Sequence, residues 1–507
     1  MSNFPFLPVL TVAPAVGALV VALLPRSNAQ LTKVVALVWS LAVLVVTAIM
    51  CVVFKAHGPR FQFHDSYSWI KTWGINFTFQ ADGIALVMLA LTAVLVPIVI
   101  VASWHDAERS KRSVSTYFAL LLALEATMIG VFAASDIFLF YVFFEVMLVP
   151  MYFLIGSYGG PRRQYAAVKF FLYSLFGGLL MLAAVIGLWV VGGHTLDWNA
   201  LQHANLDTGV ARWIFLGFFL AFAIKAPFFP FHTWLPDAGG AAPAGAAALL
   251  VGVLDKVGTY GILRFCLPLF PEASRFFAPL ALALSIIGII YGALLAVGQN
   301  DLKRLVAYTS IAHFGFIGIG IFAFTSQAGT GAVLYMLNHG LSTGALFLIV
   351  GMLVQRRGSA NVRDFGGASK LVPLLAGCFL IAGLSSLSLP GTSPFVSEFL
   401  VLIGTFTTHK ALAIVATSGV ILAAGYILWM YQRSMQGTLN PELAKVDGFK
   451  QDLTGREKWV VAPLILLILV LGVYPKPVIN VISPAVTATM HDIGKSDPVP
   501  SAVGENK

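Results

Sequence analysis

Charge is scarce in this chain. Asp, Glu, Lys and Arg make up 10% of its 507 residues, against roughly 25% in soluble domains. That deficit excludes an ordinary water-exposed globule. Cysteine is scarcer still: Cys51, Cys266 and Cys378 lie far apart. An iron–sulfur cluster needs clustered thiolates, so none is expected here. The histidines form no paired axial positions for haem, and no metal-ligand set is expected. No glycine-rich strand-to-helix turn points to a nucleotide site. The N-terminus lacks the succession of basic region, apolar segment and small-residue cleavage site that marks a removable leader. Its first helix is therefore expected to stay as a membrane span.

What the chain has instead is apolar length. Hydrophobic residues make up 58% of it, and they come in long runs. A spanning helix needs about 20 such residues. The runs predict an all-α polytopic membrane protein of about fourteen transmembrane helices. The longest loops, 55–81, 193–210, 355–370 and 433–458, are too short for a separate domain. The polar tail after Thr489 is expected to be poorly ordered.

The net charge of +9 would suggest nucleic acid in a soluble protein; here it reflects topology. Connections after odd-numbered spans and the opposite side hold 18 and 10 Lys or Arg, respectively. Basic residues mark cytoplasmic loops, which places both chain ends on the outer side of a plasma membrane. An even span count agrees with that.

Two spans are interrupted by proline. Span seven carries Pro227 and Pro230 in FAIKAPFFPFHTWLPDA, and span twelve carries Pro390 and Pro394 in LSSLSLPGTSPFVSEF. Each is the fourth of five spans, so the sequence divides into N-terminal helices (1–113), a first repeat (114–268), a second, inverted repeat (269–435), and a final helix with tail (436–507). Interrupted helices in matching positions of inverted repeats point to an ion site.

Charges lie beside these breaks and elsewhere at mid-span. Each is expensive there, roughly 2.5–3.5 kcal/mol on insertion scales, so each is a candidate for function. Glu145, Lys225, Lys256, His313, His339 and Glu398 are the primary candidates for a proton path, with Glu125, Lys169 and Asp255 secondary. Lys225 ends the first half of span seven, where exposed carbonyls favour a cation. Glu398 is expected in the first turn after its break, where exposed N–H groups favour an anion. The prolines at 227 and 230 are expected to free the carbonyls of Ala223 and Ala226. Other readings of single residues remain: a static Glu145–Lys225 pair, a local Asp255–Lys256 pair, core histidines, a snorkelling Lys169, and interface anchors at Arg264 and Arg162.

IKAPFFPFHTWLPDA, LDKVGTYGILRF, NDLKRLVAYTSIAHFGF and LPGTSPFVSEF carry a closer signal. Together they resemble the antiporter-like subunits of respiratory complex I along essentially the whole chain. The branch implied is that of bacterial subunit M and mitochondrial NADH dehydrogenase subunit 4. Glu398 favours it, because the sister subunits usually carry Lys there.

The resemblance implies fourteen helices, two inverted five-helix repeats and broken helices seven and twelve. It implies a Glu145–Lys225 pair, a central Lys256, histidines 313 and 339 leading onward, and Glu398 at the end. It further implies a non-redox translocase subunit of NADH-quinone oxidoreductase, with neighbouring membrane-arm subunits as partners. NADH, FMN, iron–sulfur clusters and quinone would be bound by other subunits, none by this chain. Gly239, Ala244, Ala247 and Asp255 depart from the family pattern and bear on proton uptake near the cytoplasmic end of span eight. The alternatives are a subunit of a multisubunit cation/proton antiporter, or a passive membrane scaffold.

Overall fold

A computed structural model describes residues 4–25 and 27–497. Arg26, Lys507 and the tail from residue 498 onward, all part of the reading above, lie outside the described residues. Twelve helices among those described are long and apolar enough to cross a membrane. They include α1 (Phe6–Leu23), α2 (Ala29–Val53), α3 (Gly83–Ala102), α4 (Val114–Ala133), α5 (Ile137–Tyr158), α6 (Arg163–Val191), α7 (Thr208–Lys225) and α8 (Ala244–Leu269). Next come α9 (Pro271–Val297), α10 (Leu302–Phe322) and α11 (Ser326–Arg357). Two shorter apolar helices follow, α12 (Pro373–Ser386) and α13 (Ser393–Thr408), and then the twelfth long one, α14 (Lys410–Met435). The last pair, α15 (Gly455–Val473) and α16 (Lys476–Asp492), is bent by 71° and passes the same test only when taken together. Length and composition alone thus support twelve or thirteen crossings. Fourteen requires α12 and α13 to be two halves of one.

Acidic caps fix where several spans begin. Asp82 accepts from the Ala85 N–H at 2.9 Å to start α3, and Asp136 accepts from Phe138 and Leu139 to start α5. Each satisfies N–H groups that a helix leaves unpaired at its start. Burial then sorts the bundle. The hydrophobic window of α8 is wholly enclosed and those of α10 and α11 nearly so, whereas α2, α6 and α14 present most of theirs outward. The helices bearing Lys256, His313 and His339 are therefore the innermost.

The loop at 55–81 contains two strands that the hydropathy reading left as loop. These are β1 (Gln62–Ile70) and β2 (Ile75–Ala81), antiparallel and joined by a turn in which Gly74 has φ +66°. The signal was the alternation in INFTFQA, too short to register against the apolar runs. The tail expectation also changes, since α16 continues past Thr489 to Asp492.

Both proline breaks are present. Helix α7 ends at Lys225, and the chain turns before a short helix at Leu235–Ala241. The Ala223 carbonyl is not left free as expected, because the N–H of Phe228 donates to it at 2.9 Å. Between α12 and α13, Ser388 and Gly391 have φ of +61° and +94°. Glu398 is the sixth residue of α13, one turn deeper than expected.

Gly258 of α8 lets that helix meet the first break. A Cβ there would lie 2.4 Å from the Phe222 carbonyl oxygen and 2.6 Å from the Ala226 nitrogen, both backbone atoms. Overpacking of this kind typically costs about 1–3 kcal/mol. Gly258→Ala is expected to lower the thermal midpoint of the extracted protein; an unchanged midpoint would mean that α7 and α8 part freely.

Candidate proton path

Helix α5 is interrupted next to its glutamate. Pro150 has no N–H to offer the carbonyl of Val146, and the helix divides at Met147, two residues after Glu145. The carboxylate lies against α6, where a Cβ on Gly178 would overlap its Oε1. Lys225 is fully buried, with its Nζ 5.1 Å from the ring centre of Phe144 and 5.7 Å from that of Phe170. Lys225 Nζ and Glu145 Oε1 have no hydrogen-bond partner, and the two side chains form no ion pair among the described residues. The structure brings them to one region around Phe144 without closing a static bridge.

Helix α8 departs from regular geometry around its own charges. Wider turns at Leu250–Leu254 and Ile262–Cys266 flank Asp255 and Lys256, with the Asp255 N–H reaching back five residues to Leu250. Such turns are frequent at functional sites. The two charges do not pair with each other. Both carboxylate oxygens of Asp255 are buried and unpartnered, and the group lies within Coulombic reach of both Lys225 and Lys256. Lys256 instead donates to the Val251 carbonyl and lies 2.6 Å from His339 Nδ1.

From Lys256 a line of polar groups follows, hydrogen-bonded at its two ends and joined at His313 by ring contacts, with His313 Nδ1 unpartnered. His339 Nε2 is 2.9 Å from the Ser310 hydroxyl, and its ring stands edge-on to His313 with centres 5.1 Å apart. His313 lies 5.8 Å from the Tyr335 ring, and the Tyr335 hydroxyl donates to Glu398 Oε2 at 2.7 Å. Ser388, in the second break, donates to the same oxygen at 2.6 Å. Along the line His339 precedes His313, the reverse of their order in the chain.

Sequence reasoning missed Tyr335, Ser388, Ser310 and Asn338. Tyr335, Asn338 and His339 share a face of α11 by their three- and four-residue spacing, and Asn338 Nδ2 donates to the Ser393 carbonyl at 2.7 Å, tying α11 to the start of α13. That spacing from His339 was the available signal.

Other placements differ from expectation. Arg264 is not an interface anchor. It is buried with Asp82 at 3.0 Å and stacks 4.2 Å from the Phe61 ring centre. Lys169 does not snorkel alone but pairs with Asp237 at 2.8 Å, which also binds Arg304. Glu125 is wholly buried with neither oxygen partnered, outside the line described.

Comparison with known proteins bears on this arrangement. Residues 134–423 match the family model described as NADH:quinone oxidoreductase/Mrp antiporter, TM. The chain is 48% identical to NADH-quinone oxidoreductase subunit M of Mycobacterium tuberculosis (strain CDC 1551 / Oshkosh), covering 99% of this chain and 97% of that one. It is 38% identical to NADH-ubiquinone oxidoreductase chain 4 of Arabidopsis thaliana, covering 92% and 93%. A chain of respiratory complex I from Thermus thermophilus superposes with a TM-score of 0.86 at 30% identity, covering 96% and 100%. A chain of the Mrp complex from Dietzia sp. DQ12-45-1b shares the fold, with a TM-score of 0.82 at 23% identity, covering 97% and 100%. With these matches spanning the two breaks and the line between them, the chain belongs to the NADH-quinone oxidoreductase subunit M family of antiporter-like membrane subunits.

Proposed function

We propose that this chain is a proton-translocating membrane-arm subunit of an NADH-quinone oxidoreductase. Protons move along Glu145, Lys225, Asp255, Lys256, His339, His313, Tyr335 and Glu398. The carrying observation is the contact chain from Lys256 through His339 to Tyr335 and Glu398, buried in the three innermost helices and the second break. An unpaired Lys225 and Glu145 suit a relay better than a brace, since a structural ion pair is stable only when closed and hydrogen-bonded. Histidine suits exchange because its ordinary pKa lies near 6.5. Free energy comes from quinone reduction in other subunits, which hold NADH, FMN and iron–sulfur clusters. This chain contributes translocation and no redox step.

In this reading α12 and α13 form one interrupted crossing. Residues 114–268 and 269–435 are the two inverted repeats, and both chain ends lie outside a plasma membrane. Neighbouring membrane-arm subunits are the partners. The antiporter alternative has the fold in its favour, but Glu398 and the relatives near 40–48% identity favour the oxidoreductase.

Lys225→Ala and Glu145→Ala are expected to leave assembly intact. Proton pumping coupled to NADH oxidation should fall about tenfold or more, a barrier rise of at least about 1.4 kcal/mol. Proton-to-electron ratios in inverted vesicles check this. Wild-type ratios in both variants would refute the relay.

A further inference from the structure

The relay needs a supply of protons, and its inner groups are sealed: Lys256 and Asp255 are fully buried. A cavity of about 410 Å³ opens at the end of the bundle where α3, α5, α8, α10 and α11 terminate or begin. Its lining includes Asp106, Arg109, Lys303, Tyr158 and Gln355. The proposed topology makes this the cytoplasmic face. Asp106 lies at its inner wall, its side chain 9% exposed, accepting from Gln355 Nε2 at 3.0 Å and lying 3.7 Å from Arg109.

Behind Asp106 lies a second void of about 10 Å³, bounded by Asp106, Ala244, Gly245, Gly351 and Gln355. That is close to the space one water needs. Small residues create it: a Cβ on Gly351 would clash with Ala244, and one on Gly245 with the Ser103 hydroxyl.

The void sits at one end of a row of residues on α11. Gln355, Gly351, Phe347, Thr343 and His339 recur every fourth residue, so each neighbours the next along a row that rises about 24 Å and winds about 160° round the helix at 1.5 Å and about 100° per residue. Thr343 Oγ1 is buried without a partner. Phe347 ends beside Gly239, whose added Cβ would lie 3.4 Å from the ring tip. The row thus joins an open mouth, a void of about one water's size and an orphaned hydroxyl to the histidine that holds Lys256, with one aromatic ring beside it.

We propose that Asp106 is the proton-collecting acid of this chain and that the α8–α11 seam, gated by Phe347, delivers its protons to the Lys256–His339 pair. This rests on the relay reading above. Asp106 takes a proton from cavity water, passes it to the water behind it, and returns to carboxylate. The proton crosses the seam when the Phe347 ring swings aside and is bound by deprotonated Lys256. Burial holds the Asp106 carboxyl above the usual carboxylate range, opposed by Arg109, then by the Ser103 hydroxyl, and more weakly by Arg456 and Lys303. Glu457, on the wall of the void, Tyr117, and Lys111, Tyr158 and Arg163 on the cavity lining are further titratable or charged groups nearby.

The test uses the assembled complex in vesicles, with NADH-driven proton uptake measured across pH. Asp106→Asn should lower uptake roughly tenfold at alkaline pH, a barrier rise of about 1.4 kcal/mol. The deficit should shrink at acidic pH, where free protons replace the collector. Asp106→Glu should restore uptake, and Phe347→Trp should slow it at every pH. Wild-type uptake in Asp106→Asn, beside a dead Lys256→Ala control, overturns this inference and leaves the relay standing. An Asp106→Asn deficit of equal depth at all pH, unrescued by Glu, marks a structural acid and also overturns it. Normal pumping by Lys256→Ala removes the destination and overturns both.

Discussion

Lys256→Ala is expected to cut coupled quinone-reductase turnover and proton pumping by roughly 100-fold, within the range for removing a positioned acid–base group. The residue is fully buried, and its ammonium is held between the Val251 carbonyl and His339 Nδ1. Truncation leaves those two acceptors unsatisfied, at about 1–3 kcal/mol, a loss that an assembled membrane arm should tolerate. The informative companion is Lys256→Arg. A guanidinium keeps the charge but does not release its proton in proteins. A role in electrostatic bracing predicts that Arg rescues, and a role in proton exchange predicts that it does not. Pumping by the Arg variant near the wild-type rate would end the exchange reading. Subunit content of the purified complex, measured alongside, separates lost activity from lost assembly.

The second large effect concerns stability. Arg264 and Asp82 side chains are 3% and 2% exposed and 3.0 Å apart. Arg264 also closes over Phe61, while its backbone carbonyl accepts from Trp198 Nε1 at 2.8 Å. Removing one partner of a buried pair strands the other charge, at about 3–5 kcal/mol. Arg264→Ala and Asp82→Ala are each expected to destabilise by that amount, visible as faster thermal inactivation of the complex. The double variant should lose clearly less than the sum, because neither charge then remains stranded. Strict additivity would show that the two groups act independently.

How far these sites were legible depended on the kind of signal. Glu145, Lys225, Lys256, His313, His339 and Glu398 stood out because a charge in an apolar run is conspicuous in one dimension. Pro227 and Pro390 announced the breaks for the same reason. Tyr335 and Ser388 did not, because a tyrosine or serine in a span is unremarkable until the Glu398 carboxylate is seen beside it. Asp82 and Asp237 lay at span ends, where charge is expected, so their burial against Arg264 and with Lys169 was invisible. The hairpin was hidden for a different reason. Alternation over seven residues carries little weight against runs of twenty.

The end of α16 has a consequence for how the chain is made. Asp492 receives hydrogen bonds from Arg60 and Gln202, residues 432 and 290 positions earlier, and Arg275 donates to the Ile493 carbonyl. Contacts of such long sequence separation form late, and these wait until the chain through Ile493 has left the ribosome. During insertion the early spans therefore stand with this clasp open. Helix α16 fastens a loop made hundreds of residues before it, so this side of the bundle takes its finished shape only after α16 itself has been made.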